Sequence, residues 1–144
     1  MRESEFHRRL LRDYRDMKGY AIKVSDRFTV GTPDLFIHLH GYGSYWIEVK
    51  VVTCVKHHER GYPIRLSPMQ RATLAEMQNA GMNAGWAVLV RATKERADRL
   101  YAGTDHSAAR TRPNFLVTEG IGFRFGTKAL LQKLTITRGD RTDA

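Results

Sequence analysis

Two acidic residues and one lysine occupy positions from which they could act together on a phosphate group. Asp34 directly follows Pro33, and Glu48 and Lys50 lie two positions apart in an apolar run. Two nearby carboxylates repel each other, so such a pair usually needs a cation or raised pKa values. A hard divalent ion, above all Mg²⁺, binds carboxylate oxygens, and an adjacent ammonium group can orient a water or stabilise a phosphate charge. These residue types indicate a divalent-cation site.

A β-hairpin over residues 31–50 is the element that would bring these side chains together. Its two runs are rich in strand-forming residues, and the Gly-Tyr-Gly-Ser sequence at 41–44 permits the positive φ values of a tight reversal. Because alternate strand residues share a face, the apolar residues of the second run point to one side and Glu48 and Lys50 to the other. The reversal would return Asp34 towards Glu48. Without a cation, the same three residues would be a surface turn residue and an ion pair.

Three short segments occur in an informative order: the Pro33-Asp34 pair, the Glu-Val-Lys triplet at 48–50 and the Ser-Pro-Met-Gln segment at 67–70. Together they resemble the motif of the PD-(D/E)xK nucleases and, within them, the VRR-NUC nucleases and the archaeal Holliday-junction resolvases. The resemblance implies an α/β fold of the restriction-endonuclease type, with a central mixed β-sheet flanked by α-helices. It also implies metal-dependent hydrolysis of DNA phosphodiester bonds.

The resemblance assigns a role to each residue of the motif. Asp34 and Glu48 would hold Mg²⁺ or Mn²⁺, and the backbone carbonyl of Val49 would be a third protein ligand. Lys50 would position the attacking water. The bound metal would polarise the phosphate and lower the pKa of its water.

Two further members of the expected site also have a structural explanation. In the resembled families a glutamate of the first helix reaches the site, and here Glu5 is the first choice and Glu3 the alternative. Acidic residues in a first helical turn also stabilise the helix dipole without any catalytic role. Gln70 would point into the site from the second helix. It would equally complete a capping box with Ser67, ahead of Pro68 at the first helical position.

The charge of the chain favours a polyanionic partner. The 144 residues carry a formal net charge of +9, and arginine binds two phosphate oxygens at once. This length suits one domain with its own core, which we expect over residues 1–137, with a loose tail over 138–144. We expect DNA contacts from five basic residues: Arg8, Arg12, Lys56, Arg60 and Arg71.

Two pairs of histidines allow a competing interpretation, a zinc site. His38 and His40 fall on one strand face, and His57 and His58 follow in a later loop. The sequence contains neither a Cys-x-x-Cys pair nor an HExxH segment to accompany them. The favoured interpretation makes His38 and His40 strand residues beside the substrate groove, or polar residues of one face.

The composition bears on location. No apolar run approaches about 20 residues, and the N-terminus lacks the apolar core of a signal peptide. Cys54 is alone, so no internal disulfide is expected, in agreement with a reducing compartment. We therefore expect a cytoplasmic protein with no membrane partner.

The remaining segments predict further helices and strands. In order these are a helix over 4–18, a strand over 20–24, a helix from 67 to about 81, a strand over 83–90 parallel to an earlier strand, a charged helix over 93–101, a polar loop over 104–114, short strands over 115–117 and 121–125, and a short helix over 127–134. We expect a homodimer, because the resembled resolvases act as two-fold dimers. The last third offers apolar interface candidates in Phe115, Leu116, Phe123 and Phe125.

The expected function is that of a structure-selective endonuclease for branched DNA or Holliday junctions in repair, recombination or replication. The alternative is a non-catalytic nucleic-acid-binding module with the same fold, and a third possibility is a zinc-organised regulatory protein. The sequence leaves open which DNA structure is cleaved and whether DNA is preferred to RNA.

Overall fold

Six β-strands in the described part of the chain form one mixed sheet, with α-helices on both of its faces. The computed structural model describes residues 2–24, 30–53, 61–91, 98–119 and 128–136. Along the chain, the helices and strands are α1 Glu3–Asp16, β1 Tyr20–Lys23, β2 Leu35–Leu39, β3 Gly43–Thr53, α2 Pro68–Asn79, β4 Asn83–Arg91, β5 Arg99–Gly103, the 3₁₀ helix Pro113–Phe115, β6 Leu116–Glu119 and α3 Lys128–Leu134. The strands lie side by side in their order along the chain, and this α/β architecture confirms the predicted fold class. Among the helices described, none is long and apolar enough to cross a membrane.

Helix α1 follows the apolar periodicity that predicted it. Phe6, Leu10 and Tyr14 lie on its inner side and are fully buried. Beyond the helix, Lys18 adopts a positive φ of 62°, and the backbone N–H of Gly19 donates to the carbonyl of Tyr14 at 2.9 Å. This reversal satisfies a terminal carbonyl of the helix and directs the chain into β1.

The predicted hairpin is present as β2 and β3. The two strands pair antiparallel from Leu35 opposite Ile47 to Leu39 opposite Gly43. Gly41 and Gly43 have φ values of 85° and 107°, which residues with a side chain rarely adopt. Strand β3 continues well beyond the first residue of β2, and its other edge pairs with β4.

Helix α2 connects β3 to β4, and these strands are parallel from Tyr45 opposite Asn83 to Thr53 opposite Arg91. Parallel neighbours need a long crossover connection, as predicted for this segment. Every residue of β4 between its two ends is buried. A strand covered on both faces has a continuous apolar sequence, which explains the run at 86–90.

The two faces of the sheet bury separate apolar clusters. Helices α1 and α3 cover one face, where Ile47 and Val49 of β3 are fully buried. Helix α2 covers part of the other face, where its Leu74 belongs to the same cluster as Trp86 of β4. Because side chains alternate along a strand, Glu48 points to the α2 face.

The predicted charged helix over 93–101 is wrong in its last residues. Residues 92–97 lie outside the described part of the chain, whereas Arg99–Gly103 forms strand β5 beside β4. Leu100, Tyr101 and Ala102 are buried there. Hydrogen bonding to β4 and burial of these three side chains outweigh the helical pattern of the charged residues before them.

The apolar residues expected at a dimer interface need a partial correction. Phe115 is 8% exposed and packs edge-on against Trp86, with 5.0 Å between ring centroids, and Leu116 packs against the same cluster. Phe115 therefore belongs to the core, whereas Leu116 is partly buried at its edge. Phe123 and Phe125 lie outside the described residues. The homodimer stays a prediction.

The other predictions for the last third have mixed outcomes. The polar segment from 104 to 112 is irregular, as predicted, and the short strand expected at 115–117 is observed as β6. Helix α3 confirms the helix predicted over 127–134. The strand predicted over 121–125 and the tail over 138–144 lie outside the described residues.

Candidate active site

Asp34 lies immediately before the first residue of β2. Continuing the hairpin register past Leu35 and Ile47 places Asp34 opposite Glu48, as predicted. The Oδ2 atom of Asp34 accepts a hydrogen bond from the backbone N–H of Val49 at 3.1 Å. The carboxylate thus satisfies a donor of β3 that the backbone of β2 does not reach, and this bond fixes it beside Glu48.

A close approach to helix α2 holds the segment that leads into Asp34. Gly31 has a φ of 91°, and a Cβ atom there would lie 2.7 Å from the carbonyl oxygen of Met69 and 2.8 Å from Thr73 Oγ1. Glycine alone combines this backbone conformation with the small volume available. Gly31 therefore fixes the entry to Asp34 against the helix that carries Gln70.

Glu48 is the buried carboxylate of the site, with 3% of its surface exposed. Its Oε1 atom accepts a hydrogen bond from Gln70 Nε2 at 2.7 Å and lies 3.7 Å from Lys50 Nζ. Its Oε2 atom is buried and has no hydrogen-bond partner among the residues described. A buried oxygen without a partner is unfavourable, and a cation or a water would satisfy it.

The two carboxylates have opposite pKa shifts. Burial, together with the negative charge of Asp34, raises the pKa of Glu48 from 4.5 to about 8, against the opposing charge of Lys50. Burial alone would raise the pKa of Asp34. The net shift is nevertheless downward, because His7, the Val49 N–H and the charge of Lys50 all favour the ionised carboxylate. At neutral pH, Asp34 is therefore ionised and most Glu48 is protonated. A divalent cation between the carboxylates would allow both to ionise.

Gln70 fills both of the roles that the sequence presented as competing. Its Oε1 atom accepts from the backbone N–H of Ser67 at 2.8 Å, and Ser67 Oγ accepts from the Gln70 N–H at 3.1 Å. This capping box begins helix α2, with Pro68 at its first position. The other end of the same amide donates to Glu48. One side chain can do both because an amide has an acceptor and a donor.

Helix α1 directs a histidine, rather than the expected Glu5, towards the site. His7 is 6% exposed, and its Nε2 atom lies 3.5 Å from Asp34 Oδ2. Glu5 precedes His7 by two residues, so it lies about 160° around the helix from it and is half-exposed. Glu3 lies one turn before His7 on the same side, but it is exposed. Among the described residues, no hydrogen bond or ion pair joins either glutamate to Asp34, Glu48 or Lys50.

Two solved structures resemble this arrangement of helices and strands. The chain is similar to an archaeal Holliday junction resolvase. That protein, Hjc of Archaeoglobus fulgidus, is 23% identical over 68% of this chain and 74% of its own, with a TM-score of 0.47. A VRR_NUC domain is 20% identical over 65% of this chain and 87% of its own, with a TM-score of 0.46. Both belong to groups that the sequence motif resembles, whereas no protein-family model and no curated protein matches the chain.

The DNA contacts expected of five basic residues stay predictions. Arg8 and Arg12 are exposed and lie one turn apart on α1, so both guanidinium groups point away from the core. Lys56 and Arg60 lie outside the described residues.

Arg71, the fifth, has a structural role in the fold. Its Nη1 atom donates to the carbonyl oxygens of His106 at 2.6 Å and Ala108 at 2.9 Å, and its Nη2 atom donates to that of Ile64 at 3.0 Å. These bonds tie the irregular segment after β5 to helix α2. Backbone carbonyls thus accept three hydrogen bonds from its guanidinium group, and a phosphate contact by Arg71 stays a prediction.

The described histidines do not support the zinc interpretation. His38 Nδ1 lies 2.7 Å from Ser44 Oγ and is hydrogen-bonded to it. Across residues 2–24, 30–53, 61–91, 98–119 and 128–136, no three His, Cys, Asp or Glu side chains are grouped to hold a metal. His57 and His58 lie outside these ranges. A Mg²⁺ site does not need such a group, because the ion binds through one or two carboxylates and keeps several waters.

Proposed function

We propose that the chain is a DNA nuclease that hydrolyses phosphodiester bonds with Mg²⁺ or Mn²⁺ as its cofactor. The observation that carries this proposal is the pair of adjacent carboxylates, Asp34 and Glu48, with Lys50 beside them. Glu48 holds a proton at neutral pH and has a buried oxygen without a partner. Such a pair is unfavourable as a purely structural feature and becomes favourable when a cation binds to it.

The donor atoms fit a hard divalent cation, since all of them are oxygens. Asp34, Glu48 and the backbone carbonyl of Val49 would hold the ion. When bound, it supplies a polarised phosphate and a water of lowered pKa. Lys50 adds a positive charge 3.7 Å from Glu48, where it would orient the attacking water or a phosphate oxygen. Gln70 holds the Glu48 carboxylate in one orientation through its 2.7 Å hydrogen bond.

The proposed substrate follows from charge. The net charge of +9 and the exposed Arg8 and Arg12 suit a phosphate backbone, and we retain Lys56 and Arg60 as proposed contacts. Phosphate contacts position a protein on DNA without reading its sequence. Because the sequence motif resembles that of the Holliday-junction resolvases, we propose selection by DNA structure, with branched DNA or a Holliday junction as substrate. A homodimer would make the paired, symmetric cuts that a junction requires.

The test is cleavage of a panel of labelled DNA substrates. A four-way junction, a flap, a nicked duplex, a blunt duplex and a single strand are each incubated with Mg²⁺, with Mn²⁺ or with EDTA. We expect metal-dependent cleavage by the parent and none by Asp34→Asn purified in the same way, which controls for contaminating nucleases. Equal cleavage by both proteins would refute the site. If the parent binds DNA without cleaving any substrate, the chain is a non-catalytic binding module.

A further inference from the structure

We propose that His7 is a positioning residue of this site, whose imidazole holds the carboxylate of Asp34 in the orientation that binds the cation. The inference rests on the proposed function, because it takes Asp34 as a metal ligand. It assigns to helix α1 a role through a histidine, which the sequence motif did not indicate.

The first observation is that His7 is buried without hydrogen-bond partners. Only 6% of its surface is exposed, and neither ring nitrogen forms a hydrogen bond within the described residues. A buried polar group without a partner costs free energy, whereas an apolar side chain of similar volume would fill the same space without that cost. Core packing alone therefore does not explain a histidine at this position.

The second observation is where the ring points. His7 Nε2 lies 3.5 Å from Asp34 Oδ2, longer than a formed hydrogen bond, and a shift of about 0.5 Å would close the gap. The same oxygen already accepts the N–H of Val49 at 3.1 Å. Two donors on one carboxylate oxygen fix the rotation of the carboxylate and leave its other oxygen for a cation. The Nε2–H tautomer of the imidazole supplies the second donor.

The two carboxylates of the site face side chains from two different helices. Gln70 donates to Glu48 from helix α2, and His7 faces Asp34 from helix α1, which packs on the opposite face of the sheet. Each proposed ligand thus faces one side-chain donor from a different helix. Groups that hold a metal ligand in place typically change metal affinity by 10–100-fold when removed.

The experiment measures Mn²⁺ binding without DNA, using the paramagnetic resonance signal of free Mn²⁺ during a titration of the full chain. His7→Phe keeps the ring volume and removes both nitrogens, so its Mn²⁺ affinity should fall roughly 10–100-fold. His7→Gln keeps an N–H donor near the position of Nε2 and should bind Mn²⁺ within a few-fold of the parent. His38→Phe, the same change at an exposed histidine, is the matched control and should bind as the parent does.

Rescue by glutamine distinguishes positioning from packing, because a packing role would favour phenylalanine over glutamine. If His7→Phe binds Mn²⁺ within twofold of the parent while Asp34→Asn does not bind it, the positioning role is refuted and the metal site stands. If Asp34→Asn also binds Mn²⁺ as the parent does, the proposed function itself fails. Should His7→Phe not fold, His7→Leu takes its place, with the same expected loss and the same refuting result.

Discussion

The head of an amide side chain has an acceptor and a donor, and Gln70 uses both for different purposes. Its oxygen caps helix α2 at Ser67, and its nitrogen holds Glu48. The capping box therefore does more than begin a helix, since it also fixes the side-chain conformation that reaches the site. We therefore expect stability and activity to be coupled at this residue.

Gln70→Ala should consequently lower both properties. Gln70→Ala removes one of the two capping-box hydrogen bonds and should cost a fraction of about 1 kcal/mol of stability, and loss of the hydrogen bond to Glu48 should lower the cleavage rate. Ser67→Ala is the matched control, because it weakens the cap but leaves the Gln70 amide in place. It should lower stability at least as much as Gln70→Ala, by about 0.5–2 kcal/mol, and retain more cleavage. Parent-level cleavage by Gln70→Ala would remove this residue from the site.

Glu48 predicts a pH-dependent stability for the metal-free protein. Folded Glu48 keeps its proton up to about pH 8, whereas the unfolded chain loses it near 4.5, so the folded state binds more protons between these values. The free energy of unfolding should fall as pH rises through this range, by at most about 1.4 kcal/mol per pH unit for this proton. Urea unfolding in EDTA measures the effect. Glu48→Gln should show a flatter profile because its amide does not titrate, and parallel profiles would contradict the prediction.

Among the elements, the junction between the residues before β2 and helix α2 decides where Asp34 lies. Gly31 and Gly41 both have positive φ values, but only at Gly31 would a Cβ atom meet other atoms, whereas the space at Gly41 is open. Comparing the two positions therefore separates the cost of the conformation from the cost of the contact.

Gly41→Ala should lower stability by roughly 1–2 kcal/mol, the cost of a left-handed alanine. Gly31→Ala should cost a further 1–3 kcal/mol or so, because Met69 and Thr73 must move, and it should also impair cleavage by displacing Asp34. Urea unfolding and a cleavage assay on both variants test this. Equal effects at the two glycines would show that the close approach to α2 has no consequence.

Local sequence patterns were sufficient to predict the elements whose conformation depends on residues close together in the chain. The hairpin was predictable because alternation and the glycines at 41–44 act within a few residues. Strand β5 was not, because Leu100 and Tyr101 become strand residues only when β4 lies beside them. The same limit applies to His7, which no motif of the sequence indicated: only the packing of α1 against the hairpin shows that Asp34 is its neighbour.

At the scale of the whole molecule, the proposed DNA binding and the proposed chemistry should depend on different charges. A net charge of +9 is spread over the chain, whereas the site contributes the negative charge of Asp34 and the positive charge of Lys50. Because Glu48 is mostly protonated at neutral pH, it adds little charge before a metal binds. The three residues should therefore affect metal-free DNA binding in three different ways, although all of them should be required for cleavage.

Anisotropy titrations of labelled DNA at pH 7 in EDTA, over a range of salt concentrations, would measure these effects. Asp34→Asn should bind DNA slightly more tightly than the parent, since it removes a charge that repels phosphate, and Glu48→Gln should bind equally because it replaces a neutral group. Lys50→Ala should bind more weakly, with a salt dependence reduced by about one phosphate contact. In the presence of Mg²⁺ or Mn²⁺, each variant should cleave DNA orders of magnitude more slowly than the parent. If Glu48→Gln strengthens metal-free binding as much as Asp34→Asn does, Glu48 is ionised at pH 7, and the cation would then not be needed to make the carboxylate pair stable.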